Sequence, residues 1–343
     1  LGKKVYIYLD GYASLPELYL ATSADFVMMP ELGTIGQLGL DFEIIKTREF
    51  FKNFGVGYDI LATGEYKGAL QPNAKDLTPA GRDQIEGLVN DLYQQVLMTI
   101  KKDRNLTWEW VSQTFDGSLI SARKGQDMGV IDGLGYWEDM KEYVKENHKG
   151  VGRVQLARFD DQKRSGVLFP FFNRIAVIEV DGVINSGTSQ SDFLFGMKST
   201  GADDIRSIVN AIKKDPSIRG VILRVNSPGG SMLASDQMYH ALKELKESRK
   251  KVYTSMGNVA ASGGYYVALA TDQIWASSTT LTGSIGVISV FQNVERLNEI
   301  LGIKRDVIKT GPYMDMFSSN RAMTDKEKEK YLAFQKEKYD IFV

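Results

Sequence analysis

The sequence contains no cysteine. Disulfides, thiolate zinc sites and cysteine nucleophiles are therefore excluded, and the absence fits either redox compartment. Histidine is almost as scarce: His148 and His240 are the only two among 343 residues. A histidine-rich metal centre is excluded, and a Ser-His-Asp triad has few candidates for its base. Neither sign of charge prevails, with 42 Lys and Arg against 43 Asp and Glu and a net charge of −1. A nucleic-acid partner would need a concentrated basic face, so none is expected. No apolar run in the sequence approaches the roughly 18 residues of a membrane span. The opening Leu1-Gly2-Lys3-Lys4-Val5-Tyr6 is neither an initiator methionine nor a signal peptide, and it reads as a strand already under way. The chain is expected to be a fragment or processed form, so a missing anchor here says little about a longer protein.

What is present is ordinary in bulk. The chain is 43% hydrophobic and 25% charged, with 33 Gly and 8 Pro, which leaves ample apolar surface for a core. The length suggests two domains or one large α/β unit. The sequence also repeats itself. Lys3-Lys4-Val5-Tyr6 returns as Lys250-Lys251-Val252-Tyr253, an offset of 247 positions. Without a gap, the same offset matches Ala13 with Ala260, Tyr19 with Tyr266, Ala21 with Ala268 and Asp25 with Asp272. It goes on to match Gly36 and Gly39 with Gly283 and Gly286, and Thr63-Gly64 and Tyr66 with Thr310-Gly311 and Tyr313. Chance does not sustain such a series, so the chain is read as an internal duplication. Residues 1–148 are expected to form a first repeat that lacks its beginning, and 173–343 a second that lacks its end. The stretch 149–172, with Arg and Lys scattered among Gly, Asp and Gln, reads as the connector.

In the second repeat the strand-like runs 175–180, 220–225 and 252–256 alternate with helical patterns over 202–215, 231–246 and 265–270. That order implies βα units around a largely parallel sheet, with chemistry at the carboxyl ends of the strands. Two glycine loops fall there. Asn226-Ser-Pro-Gly-Gly-Ser231 stands between a strand and a helix, where paired glycines let main-chain N–H groups face a cavity. Alone, it would read as a tight turn with a helix cap. Ala260-Ala-Ser262-Gly-Gly264 surrounds its serine with small residues and sets the Gly263 N–H beside it. A nucleophile whose tetrahedral intermediate needs an oxyanion donor wants that arrangement. Alone, it too reads as a cap. Together the loops supply a hydroxyl at Ser262 and N–H groups from Gly263 and from Gly229 or Gly230.

These residues, with Leu281-Thr-Gly-Ser-Ile-Gly286, resemble the signal peptide peptidase A (SppA) family in its long tandem form. The resemblance covers essentially the whole chain, duplication included. It implies a ClpP/crotonase-like α/β fold built as a tandem of βα-unit domains. It also implies a membrane-associated serine endopeptidase with a Ser/Lys dyad and no cofactor. In the tandem form the serine comes from the second repeat and the lysine from the first. The family forms ring- or bowl-like oligomers, so a homo-oligomer such as a tetramer is implied. So is a place at the inner (cytoplasmic) membrane with the catalytic domain on the periplasmic side, or at the thylakoid membrane in a plastid.

The base can also be sought in the residues themselves. His240, on a helix with Tyr239 and Leu242, reads as a surface or packing residue, and His148, in Glu146-Asn-His-Lys-Gly150, as a solvated helix end. Lysine is the alternative. Thr63-Gly-Glu-Tyr-Lys67 aligns with Thr310-Gly-Pro-Tyr-Met314, while Ser262 aligns with Leu15. Each repeat keeps one half of a dyad, and the halves are complementary. A lone lysine between glycines is usually a solvated surface residue, but that reading leaves the apolar duplicate unexplained. The family gives the matching position the role of general base. Lys67 must be neutral to take a proton, so it is expected in a desolvated pocket between the repeats with no carboxylate partner. Ser284, whose duplicate is Gln37, is expected to hydrogen-bond the lysine amine, as the family's matching serine does, although a turn role would also fit.

The remaining segments call for no metal or cofactor. Gly33-Thr-Ile-Gly36-Gln-Leu-Gly39 is the degenerate partner of the loop ending at Gly286 and needs no phosphate to explain it. Lys326-Glu-Lys-Glu-Lys330 with Lys336-Glu-Lys338 reads as a solvent-facing charged helix face. Met28-Met29 and Trp108–Trp110 read as core or subunit contact. Peptides, apolar segments or remnant signal peptides, are the expected substrates. Two rivals share the fold: a crotonase-type acyl-CoA enzyme, which would use carboxylates, and a non-catalytic binding module.

Overall fold

The computed structural model describes residues 2–36, 38–64, 66–68, 70–115, 117, 119–148, 173–191, 198–304, 307 and 313–343. The connector expected at 149–172 lies outside them. The chain forms two compact units, and they cut the sequence differently from the repeats. One comprises Leu1–Glu43 with Asp83–Gly166, the other Ile44–Arg82 with Val167–Val343. A stretch of the first repeat, 44–82, thus folds with the second.

In the first unit the strands Tyr6–Tyr8, Phe26–Met29 and Gly133–Leu134 pair in parallel. Leu18 of the helix Leu15–Ala21 and Leu97 and Ile100 of the long helix Pro79–Asp103 pack with Val27, Met29 and Ile131 into its core. Met28 and Met29 are buried, Trp110 packs against the same core, and Trp108 is exposed. His148 is not simply solvated: it ends the helix Trp137–Asn147, and its Nε2 lies 2.6 Å from the Tyr6 hydroxyl.

The second unit is built on the expected parallel sheet. Its strands run in the spatial order Gln273–Trp275, Lys251–Ala261, Ile218–Ser227, Arg174–Asp181. Along Ile218–Ser227, Val221, Leu223 and Val225 are buried while Arg224 points the other way, the period-two pattern of a strand covered on one face. Ile205, Val209 and Ile212 of the helix Ala202–Lys214 join that buried face. So do Met238, Leu242 and Leu245 of Met232–Glu247. Pro216 follows closely on the first of these helices, as it must where no further N–H can be donated.

Elements recur at the repeat offset. The helices Leu15–Ala21 and Gly263–Ala268, Arg48–Asn53 and Glu295–Ile300, and the strands Phe26–Met29 and Gln273–Trp275 occupy matching positions. The strand Gly57–Thr63 pairs antiparallel with Val287–Asn293, from Thr63 opposite Val287 to Gly57 opposite Asn293. This ribbon takes one strand from each repeat and lies wholly in the second unit. The helix Asp325–Phe342 is fixed to it by charge. Asp59 accepts the Met323 N–H at 3.0 Å and pairs with Lys328 at 2.8 Å. Arg321 holds Glu327 at 2.6 Å and Asp315 at 3.0 Å. Glu327, 3% exposed, also closes the capping box with Thr324. The alternating charges of this helix are therefore not all solvent-facing, as the sequence pattern suggests: Glu327 is buried, and Lys338 lines a cavity.

Candidate active site

Ser262 stands where the strand Lys251–Ala261 gives way to the helix Gly263–Ala268. Its φ of +52° lies in the left-handed region, a conformation that costs a serine about 1–3 kcal/mol and persists only where its surroundings enforce it. They do: the Ser262 N–H donates to Gly283 O at 2.8 Å, and its carbonyl accepts from the Tyr266 N–H at 2.9 Å. The neighbouring Gly263 is a glycine by necessity of space, because a Cβ there would meet Ser235 Oγ at 2.3 Å.

The other glycine loop lies directly behind. Gly229 has φ +99°, and a Cβ on it would come within 2.6 Å of Gly263 N and 2.9 Å of Ser262 Cβ. Its N–H donates to Ser227 Oγ at 3.1 Å. Gly230 forms a parallel bridge with Ile184, in which Ile184 N–H donates to Gly229 O and Ser231 N–H to Ile184 O. In such a bridge the middle residue's own N–H points away from its partner strand. Gly230 and Gly263 line the same cavity as Ser262, and Gly229 does not. Of the two candidates in that loop, Gly230 is the one with an N–H available to the cavity.

Lys67 reaches the serine from the other repeat. The ribbon ends at Thr63, a turn closed by Lys67 N–H donating to Gly64 O follows, and the lysine side chain crosses to the second repeat. Its Nζ lies 3.1 Å from Ser262 Oγ, 2.9 Å from Ser284 Oγ and 2.8 Å from Ser284 O. Ser284, like Ser262, has φ +52°. Burial, and no neighbouring charge, pulls the Lys67 pKa below its ordinary value. Among the described residues no carboxylate forms an ion pair with it. The degenerate positions show the contrast: Leu15 is buried in the first unit's core, and Met314 is 71% exposed.

The cavity in front of this group holds about 500 Å³. Met232, Leu233, Val287, Ile288, Ile341 and Phe342 make its walls largely apolar, with Asp236, Tyr266, Tyr331 and Lys338 as polar points. The Tyr266 hydroxyl donates to Asp236 Oδ1 at 2.8 Å, and burial together with that carboxylate raises its pKa. Asp236, Ile341 and Phe342 carry no signal in the sequence, and Lys338 reads there as solvent-facing. Asp236 follows a helix period that reads as surface, and the charge alternation of Asp325–Phe342 hides its inward face. His240 stays outside the group, 67% exposed and 3.6 Å from Asp236.

Comparison with known proteins supplies the family. Residues 1–152 and 244–343 match the family model of Peptidase family S49. The chain is 29% identical to Protease 4 of Haemophilus influenzae over 90% of its own length and 52% of that protein's. It is 26% identical to Serine protease SPPA, chloroplastic, of Arabidopsis thaliana over 99% of its length and 51% of the relative's. The chain thus spans about half the length of these curated relatives. Among solved structures, a point mutant of ClpP1 from Listeria monocytogenes is similar over 28% of this chain and 46% of that one, at 21% identity and TM-score 0.21. An enoyl-CoA hydratase from Polaromonas sp. JS666 is similar over 24% of this chain and 40% of that one, at 19% identity and TM-score 0.22.

Proposed function

The chain belongs to peptidase family S49, and on that footing we propose that it is a serine endopeptidase in which Ser262 is the nucleophile and Lys67 the general base. The observation that carries this reading is the 3.1 Å approach of Lys67 Nζ to Ser262 Oγ, in a half-buried setting that favours the neutral amine. Neutral Lys67 takes the Ser262 proton as Oγ attacks the peptide carbonyl carbon. Negative charge gathers on the carbonyl oxygen, and the N–H groups of Gly230 and Gly263 stabilise it, Gly229 having spent its own on Ser227. The lysine ammonium then protonates the departing amine, the C–N bond breaks, and an acyl-enzyme ester remains on Ser262. Water, relieved of a proton by the same amine, hydrolyses that ester. Ser284 orients Lys67 throughout, accepting through its carbonyl and meeting the amine through its hydroxyl.

The substrates proposed are apolar peptides, remnant signal peptides at a membrane in particular. Support comes from the apolar cavity walls and from the family's tandem form. An extended peptide would add to an exposed strand edge by main-chain hydrogen bonds. The same family reading proposes a homo-oligomer such as a tetramer. It also proposes a place at the inner membrane facing the periplasm, or at the thylakoid membrane in a plastid. No helix among the described residues is long and apolar enough to cross a membrane.

A serine-directed peptidyl phosphonate tests the chemistry. The expected result is a covalent adduct located by mass spectrometry on Ser262 and lost in Lys67→Ala. Absence of an adduct together with coenzyme A binding would replace this reading with a crotonase-type enzyme. Inertness to both would leave a binding module.

A further inference from the structure

The helix Asp325–Phe342 places one polar side chain where packing alone would ask for an apolar one. Gln335 is 2% exposed. Its Nε2 donates to Val287 O at 2.8 Å and Thr63 Oγ1 at 3.0 Å, and reaches Leu61 O at 3.5 Å. Its Oε1 is buried with no hydrogen-bond partner among the described residues. A buried acceptor left dry is unfavourable, so an amide at this point weakens the core relative to a methionine of similar length. Two of the three partners are carbonyl oxygens, which only a donor can face. A carboxylate would be repelled there, and a thioether would supply no donor to either.

The contacts fall at a particular place. Thr63 and Val287 are the last register pair of the ribbon. Beyond Thr63 the chain turns into Gly64–Lys67, and Val287 follows directly on Ser284–Gly286. Both strands thus leave the ribbon here toward the dyad. The fit is close, since a Cβ at Gly286 would meet Thr63 O at 2.6 Å and Lys67 Cδ at 3.4 Å. Gln335 itself does not line the cavity. The repeat makes the same distinction as it does for the serine. Thr78 and Thr324 cap matching helices, accepting from Gly81 N and Glu327 N at 3.0 and 3.3 Å. Counted from these caps, one position off the offset of 247, Val89 stands where Gln335 does, and the offset itself gives Leu88, equally apolar. The amide is present only in the copy that carries the serine.

We propose that Gln335 is a positioning residue that clamps the end of the two-repeat ribbon and so holds Lys67 Nζ against Ser262 and Ser284. The inference rests on the Ser/Lys reading above. Its test uses the full chain with Gln335→Met, which keeps length and burial and removes the donor. Three readings are taken: the thermal midpoint, the rate of phosphonate labelling at Ser262, and kcat and KM on an apolar peptide ester. The expected result is a folded variant with KM within about twofold of wild type and kcat and labelling down about 10- to 100-fold, the scale of an ångström-sized misplacement. A folded variant labelled at the wild-type rate overturns the inference and leaves the Ser/Lys reading standing. Absence of labelling in the wild type itself would instead overturn that reading. Should Gln335→Met fail to fold, Thr63→Val decides, since it removes one of the three contacts at a half-exposed site. A fall of about threefold or more in kcat at constant KM supports the clamp, and unchanged kcat overturns it.

Discussion

At the scale of single residues, Ser262 is held in a conformation that serine avoids. Replacing it with glycine should relieve the left-handed strain while adding backbone entropy to the unfolded chain. A net gain of about 1 kcal/mol is expected from Ser262→Gly in urea titration, together with complete loss of peptide hydrolysis. A variant less stable than wild type would show that the site stores no strain. Lys67 makes a second prediction, in pH. Its pKa is lowered from the ordinary 10.5 by burial, and only the neutral amine can take the serine proton. Activity should therefore rise with pH through a value below 10.5, and fall away on the acid side as the ammonium forms. Lys67→Arg should be inactive across the same range, because a guanidinium does not lose its proton in proteins. Activity that is flat from acid to alkaline pH would remove Lys67 from the role of base.

At the scale of elements, the helix Asp325–Phe342 is the piece on which the cavity depends, and its anchor is Glu327. Hydrogen bonding to Arg321 holds that carboxyl at about 2 against an ordinary 4.5. A depressed carboxylate pKa contributes stability that is complete above the unfolded value and disappears as pH falls through the folded one. The loss should therefore fall between about pH 4.5 and 2. Glu327→Gln leaves Asp315 as the carboxylate paired with Arg321 and should cost about 1–3 kcal/mol at neutral pH, the scale of a lost charge-assisted hydrogen bond. It should also flatten the acid limb, and chemical denaturation at pH 7 and pH 3 reads both. The same helix shows where the sequence stopped being legible. Ser262 is legible through the small residues and glycines around it, Lys67 through its apolar duplicate Met314, and Ser284 through the family resemblance, none of which needs a structure. Glu327, Gln335 and Lys338 are not legible, because regular alternation of Lys and Glu looks like a solvated face. Only the ribbon beneath decides which of those side chains turn inward. The choice between Gly229 and Gly230 was equally beyond sequence, since it depends on which N–H a bridge to Ile184 and the Ser227 hydroxyl leave free.

At the scale of the whole molecule, the repeat boundaries read from the sequence and the compact units differ, and the difference bears on the proposed chemistry. The offset of 247 divides the chain at the repeats read from its sequence. Contacts divide it by packing, and they assign Ile44–Arg82 to the unit that otherwise consists of the second repeat. Pairing of Gly57–Thr63 with Val287–Asn293 is the physical cause, because seven register pairs fix the segment in that unit and carry Lys67 with it. The second repeat on its own therefore lacks one strand of its ribbon as well as the lysine proposed as base. Separate chains of residues 1–148 and 173–343 should each be inert to the phosphonate. Mixed or co-expressed, they should recover labelling at Ser262, because the borrowed strand is held by main-chain hydrogen bonds and by the Asp59–Lys328 and Asp59–Met323 contacts. Recovery should be lost if the first chain carries Lys67→Ala, and sharply reduced if it carries Ile60→Pro, which strikes the middle of the paired strand. Labelling of 173–343 alone would show that its serine finds a base within the second repeat, and the exchange of 44–82 would then be a feature of packing without catalytic meaning.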